Sequence, residues 1–217
     1  SGAEGEALAL LDQAAGRNAR NSETWLARAR ILLNRKDLAG ALRQATQAIA
    51  LRPDAAEAHE FRAQVHLALG ERARALEDAG RVVDLAPQNP AGYRLRANLR
   101  LASGESDLAL ADLERAVALR PDDGELRSLR KGIHLARRDF HAALVDLDAI
   151  VESKSGDVAI RVERAKLLVR AGRYKESLEV WSAVIPEGGG GDGGDVEVAQ
   201  AVRGVAEQQP DHAGPDV

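Results

Sequence analysis

The amino-acid sequence predicts an all-α array of antiparallel helix pairs, on three observations. Pro53, Pro87 and Pro121 stand 34 residues apart. At the same interval Leu8, Leu42, Leu76, Leu110, Leu144 and Leu178 form a column, with Ala7, Ala41, Ala75, Ala109, Ala143 and Ser177 one place earlier. A third column runs Ile49, Val83, Val117, Val151 and Ile185. Between these markers apolar residues recur three and four apart, the spacing of one helix face. Chance does not hold independent columns in register over five or six periods, so the chain is read as one unit repeated.

Residues 90–122 show the unit. A run from Pro90 to Ala102 places Tyr93, Ala97, Arg100 and Leu101 on one side. Ser103-Gly104-Glu105 breaks it, and Gly104 suits the left-handed position that closes a helix. Ser106 or Asp107 is expected to cap a second run carrying Leu110, Leu113, Val117 and Leu119. Pro121 ends the unit, because proline cannot continue a helix and biases the residue before it away from α. In this frame, pairs fall near 22–34 and 38–52, 56–69 and 72–85, 90–102 and 106–119, 124–137 and 140–153, 157–171 and 174–185.

The flanks follow from the same frame. Residues 3–15 fit only the second helix of a preceding unit or an N-terminal cap. Five repeats are expected over 22–187, then a glycine-rich linker over 188–194. Residues 195–207, with Val198, Ala199, Val202 and Val205, fall in the frame of a sixth first helix and are expected to cap the array. Residues 208–217 lack periodicity and are expected to be a disordered tail.

Composition narrows the function classes. Of 217 residues 45% are hydrophobic but only 3% aromatic, so alanine, leucine and valine do the packing. A net charge of −4 and a pI near 5.8 give nucleic acid no electrostatic footprint. Without cysteine there are no disulfides or thiolate metal sites. No apolar run approaches the roughly 18 residues that cross a bilayer, so direct membrane insertion is not expected. The chain opens Ser1-Gly2-Ala3 without an initiating methionine and reads as a cut piece, so the lack of a visible targeting segment says little. Alanine- and arginine-rich usage points to a high-GC bacterial source, which leaves cytoplasm and periplasm both open.

One column departs from simple packing. Arg28, Arg62, Arg96, Arg130 and Arg164 share a place in the five first helices, and sixteen residues on stand Gln44, Asp78, Asp112, Asp146 and Val180. A bridge within each helix pair is expected for Arg62–Asp78, Arg96–Asp112 and Arg130–Asp146, fixing register more than adding stability. The rival reading gives these arginines an anionic ligand. His59, His66 and His134 occupy bulky packing positions and are read as partly buried spacers, since a metal site needs three or four convergent ligands. No nucleophile elbow, phosphate loop or H-E-x-x-H helix appears, so no enzyme, cofactor or metal is expected.

These residues resemble the tetratricopeptide repeat, whose period is the same. A bulky residue opens the first helix (Trp25, His59, Tyr93), a small one follows four later (Ala29, Ala63, Ala97), and the alanine column and terminal Leu-x-Pro complete the pattern. Lys131, Ser155 and Ser177 depart from it in the last two units. Covering roughly 3–185, the resemblance implies a right-handed superhelical solenoid of about five repeats plus flanking helices, its concave groove lined by first helices. Carried over residue by residue, one groove file is Leu26, Glu60, Arg94, Ser128 and Val162, and a second is Arg30, Gln64, Asn98, Gly132 and Lys166. The third, Leu33, Leu67, Leu101, Leu135 and Val169, is apolar throughout, and both a ligand-facing and a half-buried packing role stay open for it. A carboxylate clamp of the kind that holds chaperone tails is incomplete, because only Arg94 and Asn98 match while Leu129, Ala159 and Glu163 do not.

The resemblance implies a non-enzymatic module that binds a protein or peptide segment along the groove, through Arg30, Leu33, Gln64, Leu67, Arg94, Asn98, Leu101, Leu135, Lys166 and Val169. The alternative is a scaffold that self-associates or packs within a larger secretion or envelope assembly.

Overall fold

The computed structural model describes residues 2–154, 157–184 and 193–208. Among them are twelve helices and no strand: α1 (Gly2–Arg17), α2 (Ser22–Asn34), α3 (Leu38–Leu51), α4 (Ala56–Ala68), α5 (Arg72–Leu85), α6 (Pro90–Ala102), α7 (Ser106–Leu119), α8 (Gly124–Ala136), α9 (Phe140–Ser153), α10 (Val158–Arg170), α11 (Tyr174–Val184) and α12 (Gly193–Gln208). They fall into two compact units, residues 1–120 with α1 to α7 and residues 121–217 with α8 to α12. Inside each unit every helix packs on its sequence neighbours, as in a solenoid of antiparallel pairs.

Two flanking segments differ from the reading of the sequence. Gly193 and Gly194, assigned to the linker, open α12, and Gln208, assigned to the tail, closes it. Asp195 in the first turn complements the helix dipole and allows the helix to begin on glycine. The rest of the linker, 188–192, and of the tail, 209–217, lie outside the described residues.

Local sequence explains the helix ends. Asn21, Asn89, Asp123 and Asp157 each accept a hydrogen bond from the backbone N–H two residues on, covering a donor the first turn leaves open. In the second helices Asp37 and Asp139 accept instead from the backbone N–H three residues on, at Gly40 and Ala142. In α7 the cap position is Glu105, not Ser106 or Asp107 as the sequence suggested, and Glu105 makes no side-chain cap. The cap column falls one place earlier, on the residue after the tight turn, and a glutamate carries one methylene too many to fold back. The residues before Pro53, Pro87 and Pro121 are non-helical, with Arg52 at φ −141° and Arg120 at φ −141°.

The turn inside each pair needs one left-handed residue. Gly70, Gly104 and Gly172 supply it at φ between 77° and 79°, while Lys36 and Arg138 occupy the same column at φ 63° and 61°. Side-chain-bearing residues pay strain there.

Small residues bring the helices together. In the first unit Leu26, Ala29, Ala41, Ala45, Ala48, Ala58, Phe61 and Val65 form a core joining α2, α3 and α4. In the second, Ala143, Leu144, Leu147, Leu167 and Leu168 do so for α9 and α10, with Leu135 and Val180 against them.

Across these apolar seams runs the arginine column. Arg62 grips Asp78 with Nε and Nη2, both at 2.8 Å. Arg96 holds Asp112 at 3.0 and 2.7 Å, and Arg130 holds Asp146 at 2.9 and 2.6 Å. The carboxylates are buried, with 3%, 3% and 0% of their surface exposed. Each receives a further donor: His59 on Asp78, Arg100 on Asp112, Arg127 on Asp146. Burial pushes the Asp78 carboxyl up, but the hydrogen bonds from Arg62 and His59 outweigh it and hold the group below its ordinary value. The pairing raises Arg62 and Arg96 in turn.

The other two arginines reach a different partner. Where its own second helix offers Gln44, Arg28 turns back to Asp12 of α1 at 2.5 Å. Where α11 offers Val180, Arg164 turns back to Asp148 of α9 at 2.6 Å. The column therefore always finds a carboxylate sixteen residues away, forward in the middle repeats and backward in the outer ones.

Two outcomes test this account. Arg138→Gly removes left-handed strain at the cost of a more flexible unfolded chain, so thermal unfolding is expected to show a gain of about 0.5–1 kcal/mol; a loss contradicts the strain. Asp112→Ala leaves Arg96 and Arg100 without their shared partner, and urea unfolding is expected to show a loss of about 3 kcal/mol. Replacing Arg96, Arg100 and Asp112 together by aliphatic residues is expected to be near neutral, and a loss under about 1 kcal/mol for Asp112→Ala alone contradicts the clasp.

Candidate partner-binding face of the first helices

With the arginine column turned inward, the first helices present a different set of side chains outward. Arg30 and Leu33 on α2, Gln64 and Leu67 on α4, and Asn98 and Leu101 on α6 are pairs three apart, so each pair shares a helix face. Arg30, Gln64 and Asn98 are exposed, while Leu33 and Leu101 are half-buried. Leu67 keeps 44% of its surface in solvent, high for a leucine inside a regular helix. Arg94 is half-buried one turn before Asn98.

Three of these side chains converge. Arg30, Leu33 and Gln64 line a hollow of about 440 Å³ between α2 and α4. Leu33 and Phe61 give it apolar surface, and Arg30 is ion-paired with Glu57 on the facing helix. Glu60 also stands at its edge. Leu67, Arg94, Asn98 and Leu101 do not line this hollow.

In the second unit Leu135 and Lys166 line a hollow of about 260 Å³ between α8 and α10, together with Val162, Glu163, Leu167 and Arg170. Val169 stands half-buried outside it. Lys131 reaches Glu163 at 2.5 Å, Lys166 reaches Asp195 of α12 at 2.7 Å, and Arg170 lies over the Phe140 ring at 4.6 Å. Both hollows thus have an apolar floor and a rim on which a basic residue of one first helix pairs with a carboxylate on the next. Sequence columns did not reveal Glu57, Phe61 or Arg170. The signal was opposite charge on successive first helices at unequal spacing, which a search at one fixed interval misses.

Leu33 and Leu135 also pack against the cores of their units. For these two the packing role and the surface role coexist: one flank of the side chain is covered and the other faces a hollow.

The groups that carry chemistry elsewhere are committed to each other. The two ring nitrogens of His59 face Asp78 at 2.9 Å and the Pro53 carbonyl at 3.1 Å. His66 meets Glu71 at 2.6 Å, which holds the Glu71 carboxyl below its ordinary value. His59 and His66 are both buried, more fully than spacers at the margin would be. Among the described residues no group of three or more histidine, aspartate or glutamate side chains is placed to hold a metal, and no helix is long and apolar enough to cross a membrane.

Comparison with known proteins agrees with this geometry. The chain is similar to YrrB, described as a tetratricopeptide repeat protein with an unusual peptide-binding site (TM-score 0.65, 18% identity, 92% of this chain and 98% of that one). It is similar to MamA from Desulfovibrio magneticus RS-1 (TM-score 0.61, 18% identity, 76% and 93%). It is also similar to PilW, described as a widely conserved type IV pilus biogenesis factor (TM-score 0.63, 17% identity, 83% and 84%). At these identities the likeness concerns the fold. No curated protein matches the chain. The family model of the tetratricopeptide repeat matches residues 37–90 and 133–192, more than half of the sequence, and the chain belongs to that family.

Proposed function

We propose that this protein is a non-enzymatic interaction module that holds a peptide segment of a partner protein against its first helices. The observation that carries this reading is the hollow between α2 and α4. Its 440 Å³ lies in the range of ligand sites, roughly 300–1,000 Å³. Its apolar floor suits one aliphatic or aromatic anchor, and Arg30, Gln64 and Glu60 stand where they meet the polar backbone beside such an anchor. The hollow lined by Leu135 and Lys166 offers the second unit a similar place. Leu67, Arg94, Asn98, Leu101 and Val169 extend the reading to the remaining first-helix surface, with Leu67 the most exposed apolar contact among them. The peptide-binding site described for YrrB supports a peptide as the class of ligand.

Selection of a random peptide library on the intact chain, followed by calorimetry with the selected peptides, tests the proposal. Leu67→Ser and Leu101→Ser are each expected to weaken binding about tenfold, near 1.4 kcal/mol, with little change in salt dependence. Arg94→Glu is expected to weaken it and to reduce its sensitivity to salt. Val145→Ser, on the second-helix side at 62% exposure, is expected to change nothing. Peptides that ignore the first three substitutions and respond to Val145→Ser place binding on the other face and overturn the reading.

A further inference from the structure

The two hollows differ in charge, and the difference bears on which peptide each can accept. Between α2 and α4 the charged lining residues are one cation, Arg30, and two carboxylates, Glu57 and Glu60. Between α8 and α10 they are two cations, Lys166 and Arg170, and one carboxylate, Glu163. That carboxylate is already matched, because Lys131 reaches it from α8 at 2.5 Å. The second hollow thus carries positive charge beyond its own needs, in a chain whose net charge is −4.

A carboxylate already stands where that charge directs one. Asp195, in the first turn of α12, places Oδ1 2.7 Å from Lys166 Nζ. The Lys166 side chain is 49% exposed and that of Asp195 23%, so water reaches the pair and it holds weakly. A carboxylate from outside can replace Asp195 without leaving a buried charge unpaired. Beside Lys166 the hollow offers aliphatic surface from Leu135, Val162 and Leu167. Arg170, anchored over the Phe140 ring at 4.6 Å, adds a second cation to the same lining. An aliphatic side chain next to an acidic one fits both features. The first loses water against the floor, and the second meets cationic N–H donors.

We propose that the α8–α10 hollow selects an acidic peptide segment, with Asp195 of α12 as its built-in competitor. An aliphatic side chain of the partner seats on Leu135, Val162 and Leu167, and an aspartate or glutamate side chain takes the place of Asp195 on Lys166. The inference rests on the peptide-binding reading above and adds to it a charge preference and an internal rival. At the α2–α4 hollow, where carboxylates outnumber the cation, an acidic segment meets repulsion instead.

Selection of a random peptide library on the intact chain is the test, with each peptide displayed between fixed neutral flanks so that no chain terminus takes part. Peptides seated in this hollow are those that V162S weakens at unchanged helicity. They are expected to carry aspartate or glutamate beside an aliphatic residue, and changing that acid to its amide is expected to weaken them about fivefold. K166Q, at an exposed position, is expected to weaken them to the same degree. D195N is expected to strengthen them about threefold, whereas E197Q, which removes the same charge at an exposed place on α12, is expected to leave them unchanged. The gain from D195N is expected to vanish in the chain that also carries K166Q. If no selected peptide responds to V162S, the hollow is not a peptide site, and the reading beneath the proposal falls with it. If peptides sensitive to V162S carry neutral or basic residues at that place, peptide binding stands and the acidic preference is overturned. A D195N chain that binds them no better than the E197Q chain, or that keeps its gain without Lys166, overturns the competition.

Discussion

The rest of the fold depends on a buried carboxylate at the seam of each middle helix pair. Asp78, Asp112 and Asp146 lie between apolar faces built largely from alanine and leucine, and such faces slide easily because neighbouring registers look alike. A charge in that setting is tolerable only where its hydrogen bonds are complete. The planar fork of the arginine sixteen residues earlier meets this demand in one geometry, with a third donor from His59, Arg100 or Arg127. Register is thereby fixed by the penalty for leaving it. In the outer repeats the same column works backward, through Arg28–Asp12 and Arg164–Asp148, and ties each of those pairs to the helix before it.

That arrangement decides what the surface has left to offer. Arginines that might have gripped an anion point into the seams, and His59 and His66 are held by Asp78 and Glu71. What faces outward along the first helices is a series of half-covered aliphatic side chains beside Arg30, Gln64, Asn98 and Lys166. Basic and acidic residues of successive first helices meet there, as Arg30 meets Glu57 and Lys131 meets Glu163. A ligand competing for those positions displaces an existing pair. For a peptide held as proposed, affinity would therefore rest on apolar anchors, with charge setting orientation.

The repeat period, the helix pairs and the three middle clasps were legible in the sequence because each is a column, and a column survives without coordinates. Breaks in a column were not. Arg28 and Arg164 looked unpaired beside Gln44 and Val180, since their partners lie in the preceding helix, where no fixed forward interval reaches. Glu57 and Phe61 were hidden for a related reason: which residues of neighbouring first helices face one another depends on how the pairs pack. The early start of α12 on Gly193 shows the limit of composition, because glycine ends helices often enough to obscure the occasions on which it begins one.

The Asp78 carboxyl is ionised inside the protein and held so by its hydrogen bonds from Arg62 and His59. Site-resolved carbon-13 NMR titration of the Asp78 carboxyl measures this directly. The expected midpoint lies below the ordinary aspartate value of about 3.9. Because the folded value is the lower one, the clasp's stabilisation is fully present above the unfolded value and is lost as pH falls through the folded one. A midpoint at or above the ordinary value, as burial without adequate partners would give, contradicts it.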